Sequence, residues 1–288
     1  MSGAGGAGSE IAVNFACGND ALVGIVCVPA ASGPVGVLVV VGGPQYRAGS
    51  HRQFVSLARH LCDAGHVTMR FDVRGMGDSA GADRTFEQIG ADIDSAISAL
   101  MATCPQVTRV VLWGLCDGAS AALLYVHNTR DDRVAGLCLV NPWVRSAAGL
   151  ARTHVRHYYA QRLTERAFWS KLLRGGVGVG ALRGAATSLL TLVRSRTGAP
   201  SNGGSYQDRM AAAWHGFARP LLVVLSGNDY TAREFADQVD AGGNWRGTWQ
   251  HPHVKRLDLE GADHTFSQAS DRIAVENATA RWLATAGV

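Results

Sequence analysis

Short apolar runs rich in β-branched residues alternate along the chain with stretches whose apolar positions recur at helical spacing. The runs are Ile11 to Ala16, Leu22 to Val28, Val35 to Val41, Val67 to Phe71, Val107 to Trp113, Val134 to Val140, Leu221 to Leu225 and Val254 to Leu259, and each predicts a strand. Helices are expected over Gln53 to Ala64, Phe86 to Met101, Ala119 to His127, Arg233 to Val239 and Arg272 to Ala284. VGVLVVV, RVVLWG, AGLCLV and PLLVVLS are nearly unbroken apolar runs, the pattern of strands covered on both faces. The alternation predicts an α/β fold, a mainly parallel sheet with helices on both sides. The first two strands are separated by too few residues for a crossover, so they form an antiparallel hairpin at one edge.

The rhythm stops between Arg145 and His215, where no strand pattern is found. From Arg145 to Arg196 ten Arg and Lys residues face Glu165 alone, nine net positive charges in a chain whose total is +4. Residues 145–215 are therefore read as a basic helical lid inserted into a core built from residues 1–144 and 216–288. Arg152, Arg156 and Arg162 are its candidate contacts to an anionic ligand, such as a phosphate-bearing lipid-linked sugar or an acyl-CoA, or to an anionic membrane surface. A plain solvated helical face is the alternative. Nucleic acid is not expected, because no binding motif accompanies the charge.

Composition narrows the class. With 47% hydrophobic and 17% charged residues in 288, a large core can form and wholesale disorder is excluded. Six cysteines without a C-x-x-C pair or zinc spacing predict reduced thiols in a cytoplasmic protein, and no metal or other cofactor. The start, MSGAGGAGSE, has neither the charged nor the apolar region of a signal peptide. Ala21 to Tyr46 is uncharged, but Pro29, Ser32, Gly33 and Pro34 divide it into two strand-length halves. No transmembrane helix is expected, and peripheral contact at the inner membrane would fall to the basic lid.

The chemistry concentrates at strand ends. In VVLWGLCDGASAALL a buried strand ends in Gly114-Leu115-Cys116-Asp117-Gly118 and a helix of small residues follows. This is a G-x-nucleophile-x-G elbow with cysteine as the nucleophile. The sharp turn strains the nucleophile's backbone, crowds the residues two positions away, and sets the sulfur at a helix N-terminus that favours thiolate. Asp229 follows the strand Leu221 to Leu225, and His264 follows the last strand. The chain order Cys116, Asp229, His264 suits a nucleophile, an orienting acid and a base. Asp263, Asn141, His127 and His251 are weaker rivals. Oxyanion donors are expected from the backbone N–H of Asp117 and of Gln45 in the loop GGPQYR, with Gly43 in reserve because Pro44 has no N–H.

Phe71 to Ser79, FDVRGMGDS, resembles the D-x-R-G-x-G-x-S segment of α/β-hydrolases, and with the elbow and the two late loops the resemblance covers the chain outside the lid. Asp72 and Arg74 are expected to pair and brace this segment. More narrowly, VGGPQYR, RFDVRGMGDS, GLCDGASAA and NPWV resemble the exosortase A system-associated hydrolases of type 1, with the cysteine-bearing dienelactone hydrolases next. The resemblance implies an α/β-hydrolase fold and a bacterial cytoplasmic protein connected to exopolysaccharide export. The expected activity is hydrolysis of a small acyl ester or thioester. Acyl transfer with the same residues, or a non-catalytic accessory role, are the alternatives.

Overall fold

The computed structural model describes residues 8–43, 45–145 and 204–287. Eight strands form one sheet: β1 (Ser9–Cys17), β2 (Asp20–Val28), β3 (Val35–Val40), β4 (Thr68–Phe71), β5 (Arg109–Leu115), β6 (Val134–Val140), β7 (Leu221–Ser226) and β8 (Val254–Leu259). Their order is β1-β2-β4-β3-β5-β6-β7-β8. β1 and β2 form the expected antiparallel hairpin, and β2 pairs antiparallel with β4. Every pairing from β4 to β8 is parallel. This is the α/β-hydrolase fold.

The helices among the described residues are α1 (Gln53–Asp63), α2 (Gly90–Thr103), α3 (Asp117–Thr129), α4 (Tyr206–Gly216), α5 (Tyr230–Asp240) and α6 (Ala269–Thr285). Burial follows the hydrophobic pattern. β3, β6 and β7 are buried along their whole length, as their unbroken apolar runs require. β8, at the edge, alternates between half-buried and exposed positions. One apolar cluster packs α2, α3 and α4 on one face of the sheet, with Ile93, Leu100, Leu123 and Trp214 fully buried. The second packs α1 and α6 on the other face through Phe54, Leu61, Trp282 and Leu283.

α4 was not separately predicted. It opens with a capping box, in which Ser205 accepts the Asp208 N–H while the Asp208 carboxylate accepts the Ser205 N–H. Its Trp214 packs against Phe235, Trp245 and Trp249 with ring centroids 5.8, 6.1 and 6.3 Å away. Residues 146–203, and with them Arg152, Arg156, Arg162 and most of the expected lid, lie outside the described residues. No helix among the described residues is long and apolar enough to cross a membrane.

The brace around FDVRGMGDS differs from expectation. Asp72 and Arg74 do not pair with each other. Asp72 accepts from the backbone N–H of Arg47 at 2.6 Å and from its guanidinium, whereas Arg74 forms a bidentate pair with Asp92 at 3.0 and 2.8 Å. Both carboxylates are fully buried, so each needs a guanidinium with several donors, and each finds it on another segment. The result ties the loop after β3 to the end of β4.

Candidate active site

Three loops at the carboxyl ends of the strands bring the chemistry together. Cys116 lies between β5 and α3 with φ 60° and ψ −125°, a backbone conformation that costs roughly 1–3 kcal/mol for a residue with a side chain. The turn is held from below. Cys116 N–H donates to Val140 O at 2.9 Å, and Trp143 N–H donates to Cys116 O at 3.2 Å. The elbow glycines are needed because backbone meets backbone there. A Cβ on Gly114 would lie 2.5 Å from the Gly118 carbonyl carbon, and one on Gly118 would collide with the Val40 carbonyl oxygen. Of the six cysteines, all free, Cys116 is the one that is not buried.

Asp229 follows β7 and caps α5. Its carboxylate accepts the N–H groups of Thr231 at 3.1 Å and Ala232 at 3.2 Å. The same carboxylate faces His264, whose Nδ1 lies 2.8 Å from Asp229 Oδ2. Cys116 is among the groups that hold the proton on the His264 ring, so the structure brings Cys116, His264 and Asp229 into one site. The Asp229 hydrogen bond, seconded by Cys116, overcomes partial burial and raises His264 to about 10.

The rivals have other tasks. Asp263 accepts the N–H groups of Thr265 and Ser267 and the Ser267 hydroxyl, so it shapes the loop that carries His264. His251 sits beside His215 and His253, with ring centroids 6.5 and 5.6 Å away. His127 is in the last turn of α3.

Asn141 has a larger part than its sequence position suggests. Fully buried, with φ 46°, it accepts the Ser226 N–H at 2.9 Å and donates to Ser226 Oγ at 2.9 Å and to the His264 carbonyl at 3.4 Å. Ser226 in turn donates to the Asp263 carbonyl at 3.1 Å. Asn141 therefore sets the distance between the loops after β6, β7 and β8. The available signal was an amide residue closing a buried apolar run, where only a partnered polar group is tolerated.

The expected oxyanion loop runs from Gly42 past Gln45 toward α1. The Gln45 side chain meets Gln53 Nε2 at 3.5 Å. Gly43, the reserve donor, gives its N–H to Asp117 Oδ2 at 2.7 Å. Asp117 was selected for its backbone N–H; its carboxyl group, lodged against the same loop, is a feature the sequence reading passed over. Burial pushes that carboxyl above the ordinary aspartate value, against the pull of the Gly43, Asp117 and Gly118 amides and of His264.

The arrangement offers a thiol at a helix N-terminus, an imidazole whose proton the thiol helps to hold, and a carboxylate behind the imidazole. That set can form and break an acyl–sulfur bond. Among the described residues no group of three or more His, Cys, Asp and Glu side chains is arranged to hold a metal ion.

Comparison with known proteins accords with the fold. The family model described as Serine aminopeptidase, S33 matches residues 33–188. Similar solved structures include the esterase Pf2001 of Pyrococcus furiosus, at 14% identity and a TM-score of 0.63, with 98% of this chain and 94% of that one covered. Another is Est1E of Butyrivibrio proteoclasticus, whose structure holds ferulic acid, at 16% identity and a TM-score of 0.61 over 95% and 100% of the two chains. A proline iminopeptidase of Mycobacterium smegmatis is similar at 17% identity and a TM-score of 0.58 over 96% and 99%. At these identities the likeness is one of fold. No curated protein matches the chain in sequence.

Proposed function

The chain belongs to the Serine aminopeptidase, S33 family, and on that premise we propose that it hydrolyses small carboxylic esters or thioesters with Cys116 as nucleophile. One observation carries the reading: His264 Nδ1 lies 2.8 Å from the capping carboxylate of Asp229, and the same ring is influenced by Cys116, strained at the elbow. The family's description names serine; here the elbow holds cysteine.

In the proposed reaction the Cys116 thiolate attacks the acyl carbonyl carbon and the carbonyl electrons move onto oxygen. Backbone N–H groups, of Asp117 and of Gln45 or Gly43 in the loop after β3, steady that oxyanion. The carbon–leaving-group bond breaks, and imidazolium His264 gives its proton to the departing alkoxide or thiolate. The acyl group remains as a thioester on Cys116. Water then attacks the thioester, His264 takes the water's proton, and the acid leaves as the thiolate returns. Asp229 holds the imidazole in the tautomer that puts Nδ1–H toward its carboxylate and stabilises the imidazolium.

A histidine raised to about 10 carries its proton at neutral pH, which suits protonation of the first leaving group. The lid residues Arg152, Arg156 and Arg162 are proposed to favour anionic or lipid-linked acyl substrates and peripheral contact with an anionic membrane. The link to exopolysaccharide export and a cytoplasmic site rest on the motif resemblance. The test is turnover of p-nitrophenyl acetate and of an acyl-CoA by the wild type and by Cys116→Ala. The reading expects turnover to vanish in the variant; equal rates would remove Cys116 from the chemistry.

A further inference from the structure

Asp117 presents two different faces to the site. Its Oδ2 accepts the Gly43 N–H at 2.7 Å, while its buried Oδ1 makes no hydrogen bond of normal geometry, although the Asp117 and Gly118 amides draw on the carboxyl group. Oδ1 presses on the loop after β3 so closely that a Cβ on Gly42 would collide both with it and with the Gly118 N–H. The carboxyl group therefore sits in the gap between the oxyanion loop and the start of α3. That gap is where an acyl oxygen would seek the same backbone amides. An anion there is favoured by the N-terminus of α3 and by the amides around it, but a half-satisfied buried carboxylate is a costly ground state.

We propose that the Asp117 side chain is an internal ligand of the oxyanion site, a carboxylate that occupies the Gly43 amide until an acyl oxygen or a proton displaces it. The inference rests on the proposed role of Cys116, because only an acyl oxygen on that sulfur needs the gap. Asp117 acts through Gly43 and is a positioning residue. While it is ionised, the site has one amide fewer for the oxyanion, and a negative charge lies beside the place where negative charge develops. Protonation weakens the acceptor and removes the charge.

The neighbouring groups leave that control with Asp117. His264, from the loop after β8, draws it toward the charged form, and Cys116 precedes it as the N-cap of α3. From the loop after β3, Arg47 is already held by Asp72 and Asp78. From the segment after β6, Arg145 is held by Glu234 at 3.0 Å.

The experiment pairs two variants with two readouts. Asp117→Ala removes the acceptor; Asp117→Asn keeps its shape and removes its charge. The first readout is the 15N-labelled Gly43 amide resonance followed from pH 4 to 8. It is expected to titrate in the wild type, to move upfield in Asp117→Ala, and to be pH-independent in Asp117→Asn. The second is kcat/KM for p-nitrophenyl acetate against pH. One oxyanion donor is worth about 10²–10³ in kcat, and recovering part of one predicts a rise of about tenfold for Asp117→Ala above the ionisation of Asp117, smaller for Asp117→Asn. The gain should fall on kcat more than on KM. The wild-type profile should lose rate as pH rises through that ionisation, a limb absent from both variants.

A Gly43 resonance indifferent to pH and to substitution overturns the proposal. So do lower rates in both variants with an unchanged pH profile, which would make the carboxyl group a plain brace. If neither the wild type nor the variants turn over or acylate, the hydrolase reading fails, and the Gly43 titration alone decides whether Asp117 holds that amide. Should Asp117→Ala fail to fold, Asp117→Asn carries both readouts.

Discussion

Two aspartates belong to the site of Cys116, the one cysteine that is not buried, and they are partnered very differently. Asp229 caps a helix, and its two oxygens divide three donors among them: two backbone amides and the His264 ring. Asp117 has one well-formed hydrogen bond, on Oδ2, and only the strained pull of its own and the Gly118 amide besides. Asp229, at 7% exposure, is buried, whereas Asp117 is only half-buried. The more deeply buried carboxyl group is also the better satisfied. The count and direction of nearby donors separate a carboxylate that orients a base from one that occupies a gap.

The comparison breaks most completely if the Cys116 sulfur is not where the reaction happens. Cys116→Ala is expected to lower kcat for p-nitrophenyl acetate by about 10⁴-fold or more, the scale seen when a nucleophile is deleted. Asp229→Asn comes next, with an expected fall in kcat of about 10³–10⁴-fold. In the same variant the His264 resonance should titrate well below its value of about 10, toward the ordinary 6.5, because its largest stabilising partner is gone. A His264 titration unchanged by Asp229→Asn would show that this carboxylate does not govern the ring.

Asn141→Ala tests whether the satisfied side depends on its buttress. It strands the buried Ser226 amide, takes one of the two partners of the Ser226 hydroxyl, and should cost about 1–3 kcal/mol of stability by urea unfolding, with a lower kcat. The Asp117 variants have the opposite sign, a gain of about tenfold or less, as argued above.

A further expected effect, with no direct bearing on rate, is on stability against pH. His264 is raised from 6.5 to about 10 in the folded chain, so its contribution to folding is complete below about pH 6.5. That contribution is lost as pH rises through about 10. The urea midpoint of the wild type should fall across this window more than that of His264→Gln. Parallel curves would mean that the folded and unfolded chains hold that proton equally.

Most of the sheet was legible because its strands are buried on both faces. VGVLVVV and PLLVVLS carry no polar position that would permit another reading. Cys116, Asp229 and His264 were legible because the parallel sheet places the ends of its strands at one edge, and spacing from a strand end is visible in sequence. What was not legible is what side chains reach once the loops close. Asp72 and Arg74 stand two residues apart, yet each pairs with a segment far along the chain. Asn141 looked inert because it cannot be charged, and its value lies in three hydrogen bonds across two loops. Ser205-x-x-Asp208 did announce the start of α4, but the basic, glycine-rich stretch before it drew the reading toward a lid. The direction of the Asp117 carboxyl has no sequence signature, since an elbow accepts many residue types at that position.

The central claim is that acyl groups pass through Cys116, and intact-mass spectrometry after brief exposure to p-nitrophenyl acetate tests it most directly. A single added acetyl on the wild type, mapped to the peptide holding Cys116 and lost on further incubation, is the predicted result, with no such adduct on Cys116→Ala. Turnover by the wild type that persists in Cys116→Ala, or an adduct that maps to another residue, would contradict it.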